Sequence, residues 1–172
     1  MLVAQRNQQA EQQWRRQRCD DLLALLLSDA GDSPRLIDEA QQLGLKPQMN
    51  RVPYLFELGM EQGAGHTVEA LSAWLTSRHP DSWCISSGKS SLLWCRPASQ
   101  VVEHEHLLEK LDGLGWNILR VAVGEQADGL SGLRRCNRQV GDLLAYGRDI
   151  VPRNRLLTLN RYRLPVMLWR HR

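Results

Sequence analysis

A chain of 172 residues has room for one ordinary domain with a real core plus one appendage. Hydrophobic residues make up 42% of it and charged residues 24%, and no run approaches the ~20 apolar residues of a membrane span. The net charge is only +3, but from Val121 onward ten arginines stand against Glu125, Asp128, Asp142 and Asp149, which leaves the first 120 residues net acidic. Residues 1 to about 29 read as one helix, rich in glutamine and uninterrupted by Gly or Pro until Gly31. Trp14, Arg18, Leu22, Leu25 and Leu26 trace its stripe, which turns strongly apolar only at LLALLL. That pattern predicts an arm whose C-terminal end docks on a domain, with Trp14, Leu22, Leu25 and Leu26 as the docking positions. The same N-terminus lacks an apolar stretch followed by a small-residue cleavage site, so a cytoplasmic protein is expected.

Asp32-Ser33-Pro34 is a helix start, with a capping side chain and then Pro in the first turn, and the helix PRLIDEAQQL ends at Gly44. Val52 to Leu58 is a nearly continuous apolar strand, which predicts burial on both faces. The glycine-rich loop GMEQGAGHT leads to a helix over Val68–Arg78. Two short strands, SWCIS and SLLWCR, then flank a tight turn. Pairing them symmetrically about Lys89 and Ser90 sets Ile85 opposite Trp94 and Cys84 opposite Cys95. A cross-strand disulfide is conceivable there, but the four cysteines form no CxxC pair and read as reduced, packed residues. Ser99 is placed to cap a helix from Gln100 to about Asp112, with Val102, Leu107, Leu108 and Leu111 turned inward.

The most legible stretch runs from Trp116 to Ile150. A strand, Trp116 to Val123, stops at Gly124, and a polar turn opens a long helix. In it Leu130, Leu133, Asn137, Val140, Leu144 and Gly147 share one face, while Arg134, Arg135, Arg138, Asp142 and Arg148 fall on the opposite one. The apolar run LLTLNRY follows, then LPVMLW, the start of a helix that the chain's end cuts short. The order β-α-β-β-α-β with an added helix and strand predicts an α+β, ferredoxin-like split βαβ sheet with helices on one face.

The phrases "DEAQQLGLKP" before the first strand and GLSGLRR in a helix closing on Gly147-Arg148 resemble the central domain of the carbohydrate-diacid and purine-catabolism type transcriptional regulators of bacteria. That domain is GGDEF-like, a non-catalytic relative of the diguanylate cyclases. The resemblance spans roughly residues 15 to 169 and implies a dimerising, signal-relaying module without a cofactor. It implies residues 1–30 as a signalling helix, 31–163 as the module and 164–172 as the start of a truncated linker helix. A sugar-acid effector and DNA would then be reached only through a sensor domain and a helix-turn-helix that this chain lacks. No membrane partner is expected.

Chemistry is sparse. An active cyclase needs glycines and acids in the hairpin turn, because hard divalent ions prefer oxygen ligands and offset the triphosphate charge. Here that turn is Ser86-Ser87-Gly88-Lys89-Ser90-Ser91, without a carboxylate, and only Glu57 and Glu61 stand near the first strand's end. Lys89 among serines is a weak phosphate cradle. Glu103-His104-Glu105-His106 has metal-binding residue types, but an i, i+2 histidine pair points to different helix faces. Ser131 has no evident base, and GEQADGLSG opens a helix toward which Glu125 and Asp128 repel an anion. The six tryptophans sit at core-like positions. The competing readings are a degenerate nucleotide-binding domain, and non-specific nucleic-acid or protein binding through the basic last third, Arg134, Arg135 and Arg138 foremost.

Overall fold

The computed structural model describes residues 1–59, 67–101 and 103–172, arranged in two compact units, Met1–Pro47 and Gln48–Arg172. Residues 60–66, with Glu61 among them, and Val102 lie outside the described residues.

In the first unit, α1 (Leu2–Leu26) and α2 (Pro34–Gln42) pack together. Residues 1–17 of α1 are exposed on every side, and burial begins only at the apolar turns, with Leu22, Leu23 and Leu26. A fork from Arg18 to Glu39, at 2.6 and 2.7 Å, ties the two helices at the point where the stripe changes character. The helix stops at Leu26, three residues earlier than the glutamine-rich run suggests. Ser33 occupies the N-cap position of α2, but its side chain makes no capping bond. Gly44 takes the left-handed conformation, φ +76°, just beyond that helix.

The second unit is a five-stranded mixed sheet. Its strands are β1 (Arg51–Leu58), β2 (Trp83–Ser87), β3 (Ser91–Pro97), β4 (Ile118–Val123) and β5 (Leu156–Thr158), in the order β2-β3-β1-β4-β5. All neighbours are antiparallel except β4 and β5, which run parallel. The helices are α3 (Val68–Arg78), α4 (His104–Gly113), α5 (Gly129–Asp149) and α6 (Leu159–Arg170). The first four strands, with α3 and α4, make the expected ferredoxin-like α+β unit, and α5 with β5 extends it as a crossover.

Helices cover both faces of the sheet, not one. The period-two alternation of the strands is the reason, because it offers apolar side chains in both directions. Tyr54, Phe56, Leu92, Trp94, Val121 and Val123 point to the face shared with Leu71 and Leu75 of α3 and Leu111 of α4. Leu55, Leu93, Ala122 and Leu157 point to the other, where Val140 and Leu144 of α5 and Tyr162 and Val166 of α6 close the layer.

Four local expectations need correction. The hairpin register is Cys84 opposite Trp94 and Trp83 opposite Cys95, one residue from symmetry about Lys89 and Ser90. The turn holds three residues, with Gly88 at φ +73°, and this odd count shifts every pair. Cys84 and Cys95 are accordingly not partners, and all four cysteines are free. Ser99 lies in a 3-10 turn, Ala98–Gln100, and α4 starts only at His104, so Ser99 caps nothing there. The strand β5 is three residues long and α6 begins at Leu159, because Leu159, Tyr162 and Val166 fall at helical spacing on the α5-facing layer. Finally, Arg134 is buried, 8% exposed. The buried arc of α5, which takes in Cys136, Leu143 and Tyr146 besides the expected stripe, is broader than a single face.

Candidate functional site

The sheet brings the C-terminal end of β1 beside the β2–β3 turn. Glu57 pairs with Ser91 on one side and Arg120 on the other, and the Leu58 N–H donates to the Ser90 carbonyl at 2.7 Å. This is where a cyclase would assemble metal and nucleotide. Ser86, Ser87, Gly88 and Lys89 are exposed at the turn.

The described carboxylate at this end, Glu57, is already answered. Arg120 Nη1 donates to Glu57 Oε2 at 3.0 Å, and Arg148 Nε lies 3.5 Å from Glu57 Oε1. Arg120 also donates to the Pro152 carbonyl at 3.2 Å, which fixes the guanidinium against β1. Glu57 and Arg120 are both mostly buried, with side chains 15% and 13% exposed, so the pair is held in a medium that strengthens it. A divalent ion would meet a guanidinium group at either oxygen of this carboxylate, and Lys89 in the neighbouring turn would oppose it. The described residues at this end do not fit a metal–nucleotide site. Among the described residues, no group of three or more His, Cys, Asp or Glu side chains is placed to hold a metal ion.

The helix that supplies Arg148 is seated closely. A Cβ on Gly147 would lie 2.0 Å from Leu157 Cδ1, so any larger residue at 147 would force the Leu157 side chain to move. A Cβ on Gly124 would meet Pro53 Cγ at 2.7 Å, which explains why the chain leaves β4 at a glycine.

The other sequence candidates separate. Leu22 and Leu26 are fully buried, whereas Trp14 is 66% and Leu25 38% exposed. Arg135 and Arg138 are exposed on α5, and Arg135 lies on the rim of a groove of about 570 Å³ lined also by Cys136, Gln139, Leu159, Val166 and Met167. Ion pairs between Arg163 and Glu125 and between Arg170 and Asp142 (2.8 Å) close its charged edge. The two histidines of the HEH run part company as their spacing requires. His104 Nδ1 meets the Tyr54 hydroxyl at 2.9 Å, and His106 sits exposed near Glu103 and Glu109. Ser131 is exposed.

Sequence reasoning missed the buried cations. Arg51, 1% exposed, stacks over Trp83 at 3.9 Å and donates to the Asp81 carbonyl at 3.0 Å, and burial pulls it down to about 10. Burial in turn pushes the nearby Cys95 thiol up to about 12, which keeps it protonated and inert. Arg96 is 5% exposed. The signal for it was available, since in SLLWCR the residues Leu92, Trp94 and Arg96 alternate onto one face.

Residues 28–145, more than half of the chain, match the family described as GGDEF-like domain. No curated protein matches the chain.

Proposed function

The chain belongs to the GGDEF-like domain family, and from that premise we propose that it is a non-catalytic relay module of a carbohydrate-diacid-type transcriptional regulator. It works in the cytoplasm as a homodimer and performs no nucleotide cyclisation. The observation that carries this reading is the state of Glu57: the carboxylate at the cyclase position is matched by Arg120 and Arg148, and the adjacent turn offers lysine and serine in place of acids.

In this reading α1 is the input. Its exposed first half reaches toward a sensor, and Leu22 and Leu26 anchor its last turns, so that a shift at the sensor becomes a shift at the anchored end. The output is α6, which would continue toward a helix-turn-helix elsewhere in the regulator. Sugar-acid effector and operator DNA are thus reached through other domains.

Replacing Leu22 and Leu26 together with Glu is expected to lower stability and change the sedimentation coefficient. Unchanged stability and unchanged oligomeric state would remove α1 from the mechanism. Titrating GTP with Mg²⁺ in a calorimeter is expected to give no heat of binding. Saturable heat would favour the degenerate nucleotide-binding alternative. A second reading, nucleic-acid binding, is favoured by Arg135 and Arg138, both exposed on one side of α5. It predicts affinity for random duplex that collapses between low and physiological salt, and no binding at low salt would dismiss it.

A further inference from the structure

At the N-terminal end of β1, on the face under α3 and α4, a cationic group is buried without an answering charge. Arg96 pairs in register with Val52 and is 5% exposed. Its Nε and Nη1 meet no hydrogen-bond partner among the described residues, and no carboxylate lies within ion-pair distance of it there. The indole N–H of Trp94, a fully buried residue, is likewise unmatched. The Arg96 guanidinium carbon stands 5.1 Å from the Trp94 ring centre, so the three unmatched N–H groups are neighbours.

The residues around them extend this set of polar groups. Tyr54 lies within the electrostatic reach of Arg96, and its hydroxyl meets His104 Nδ1 at 2.9 Å. The His79 ring lies 5.2 Å from the Trp94 ring, and its Nδ1 is 3.2 Å from Gln100 Oε1. Helix α4 begins at His104 with no side-chain cap on its first N–H groups. The local field is positive. At His79 the charges of Arg96, Lys110 and Arg78 all act against protonation with no carboxylate opposing them, and at His104 Glu105 alone offsets Arg96.

A desolvated guanidinium with unmatched donors is among the costliest arrangements a core can hold, unless a counter-charge accepts its hydrogen bonds. Neither a carboxylate nor a carbonyl supplies that acceptor to Nε or Nη1 here. We propose that Arg96, the Trp94 indole N–H, His79 and His104 form a binding site for a small oxyanion, the phosphate or carboxylate group of a ligand. Nε and Nη1 of Arg96 each offer a charged donor to an oxygen of either group. The Trp94 N–H supplies a further neutral donor, and the imidazoles supply donors whose tautomers are free to adjust. The site lies at the opposite end of β1 from Glu57 and does not depend on how the hairpin end is read.

The test is thermal unfolding of the full chain with sodium phosphate or sodium acetate, each against sodium chloride at matched ionic strength. An oxyanion well above its dissociation constant is expected to raise Tm by about 4 °C or more, and Arg96→Met is expected to abolish the rise. Which salt acts distinguishes phosphate from carboxylate. Should Arg96→Met fail to fold, the Trp94 indole ¹⁵N–¹H resonance of the wild type, assigned with Trp94→Phe, decides. It should shift saturably with the effective anion. A resonance that stays put with no Tm response to either oxyanion would overturn the site, as would a folded Arg96→Met that responds like the wild type.

Discussion

The two ends of β1 handle charge in opposite ways. At the hairpin end the carboxylate of Glu57 is held by Arg120 at 3.0 Å and by Arg148 at 3.5 Å. At the other end Arg96 lies buried with its Nε and Nη1 unmatched, beside two histidines kept neutral. In the first arrangement the charges of Glu57 and Arg120 answer each other, although Arg120 Nε also lacks a hydrogen-bond partner among the described residues. The second is incomplete within the chain. A family resemblance draws attention to the hairpin end, yet the buried cation without an answering carboxylate among the described residues lies at the far one.

Removing Glu57 should break this contrast most severely. Glu57→Ala leaves the largely buried Arg120 without its counter-charge and is expected to cost about 3 kcal/mol in urea unfolding. A loss under about 1 kcal/mol would mean that solvent, not Glu57, answers Arg120. Gly147→Ala tests the seating of α5, the helix that presents Arg148 to Glu57. Its new methyl would press on Leu157, a fully buried side chain with little room to yield, for an expected cost of about 2 kcal/mol. An unchanged urea midpoint would show that the helix moves freely.

Arg96→Met sharpens the contrast from the other end. No ion pair is lost there, so in oxyanion-free buffer its stability should fall within about 1 kcal/mol of wild type, in either direction. A cost comparable to that of Glu57→Ala would reveal a partner for Arg96 within the chain. The smallest effect is on pH. Burial, the largest cause, together with the nearby cations lowers the pKa of His79 and His104 from the ordinary 6.5. The unfolded chain therefore binds more protons than the folded one just below that pH. The stability they contribute is whole above about pH 6.5 and declines as the solution is acidified through the lowered values. Urea midpoints from pH 7.5 to 5.5 should show this decline, and should lose it in a His79→Phe, His104→Phe double variant that folds.

Much of the fold was legible because it rests on periodicity. The nearly continuous apolar run of Val52–Leu58, the three-and-four spacing in the helix after Gly124 and the stop at Gly44 each follow from local physics, and all are present. What failed was set by features with no local signal. The hairpin register turned on a three-residue loop where serine, glycine and lysine also allow two. The start of α6 depended on Leu159, Tyr162 and Val166 finding α5. The broad buried arc of α5, which takes in Arg134, arises from packing that helical spacing alone does not show. The lack of acids in the hairpin turn was readable in the sequence, but the two arginines on Glu57 needed β4 and α5 placed in space. The Arg96 cluster draws on three elements remote in sequence, and only the inward alternation of SLLWCR hinted at it.

The central proposal is that Glu57, bound by arginine, does not support cyclase chemistry. Incubating the purified chain with GTP and Mg²⁺ and resolving the nucleotides by anion-exchange chromatography tests it directly. The account predicts that GTP is recovered unchanged after prolonged incubation. Cyclic dinucleotide formed in proportion to protein, and lost in Glu57→Ala, would contradict it.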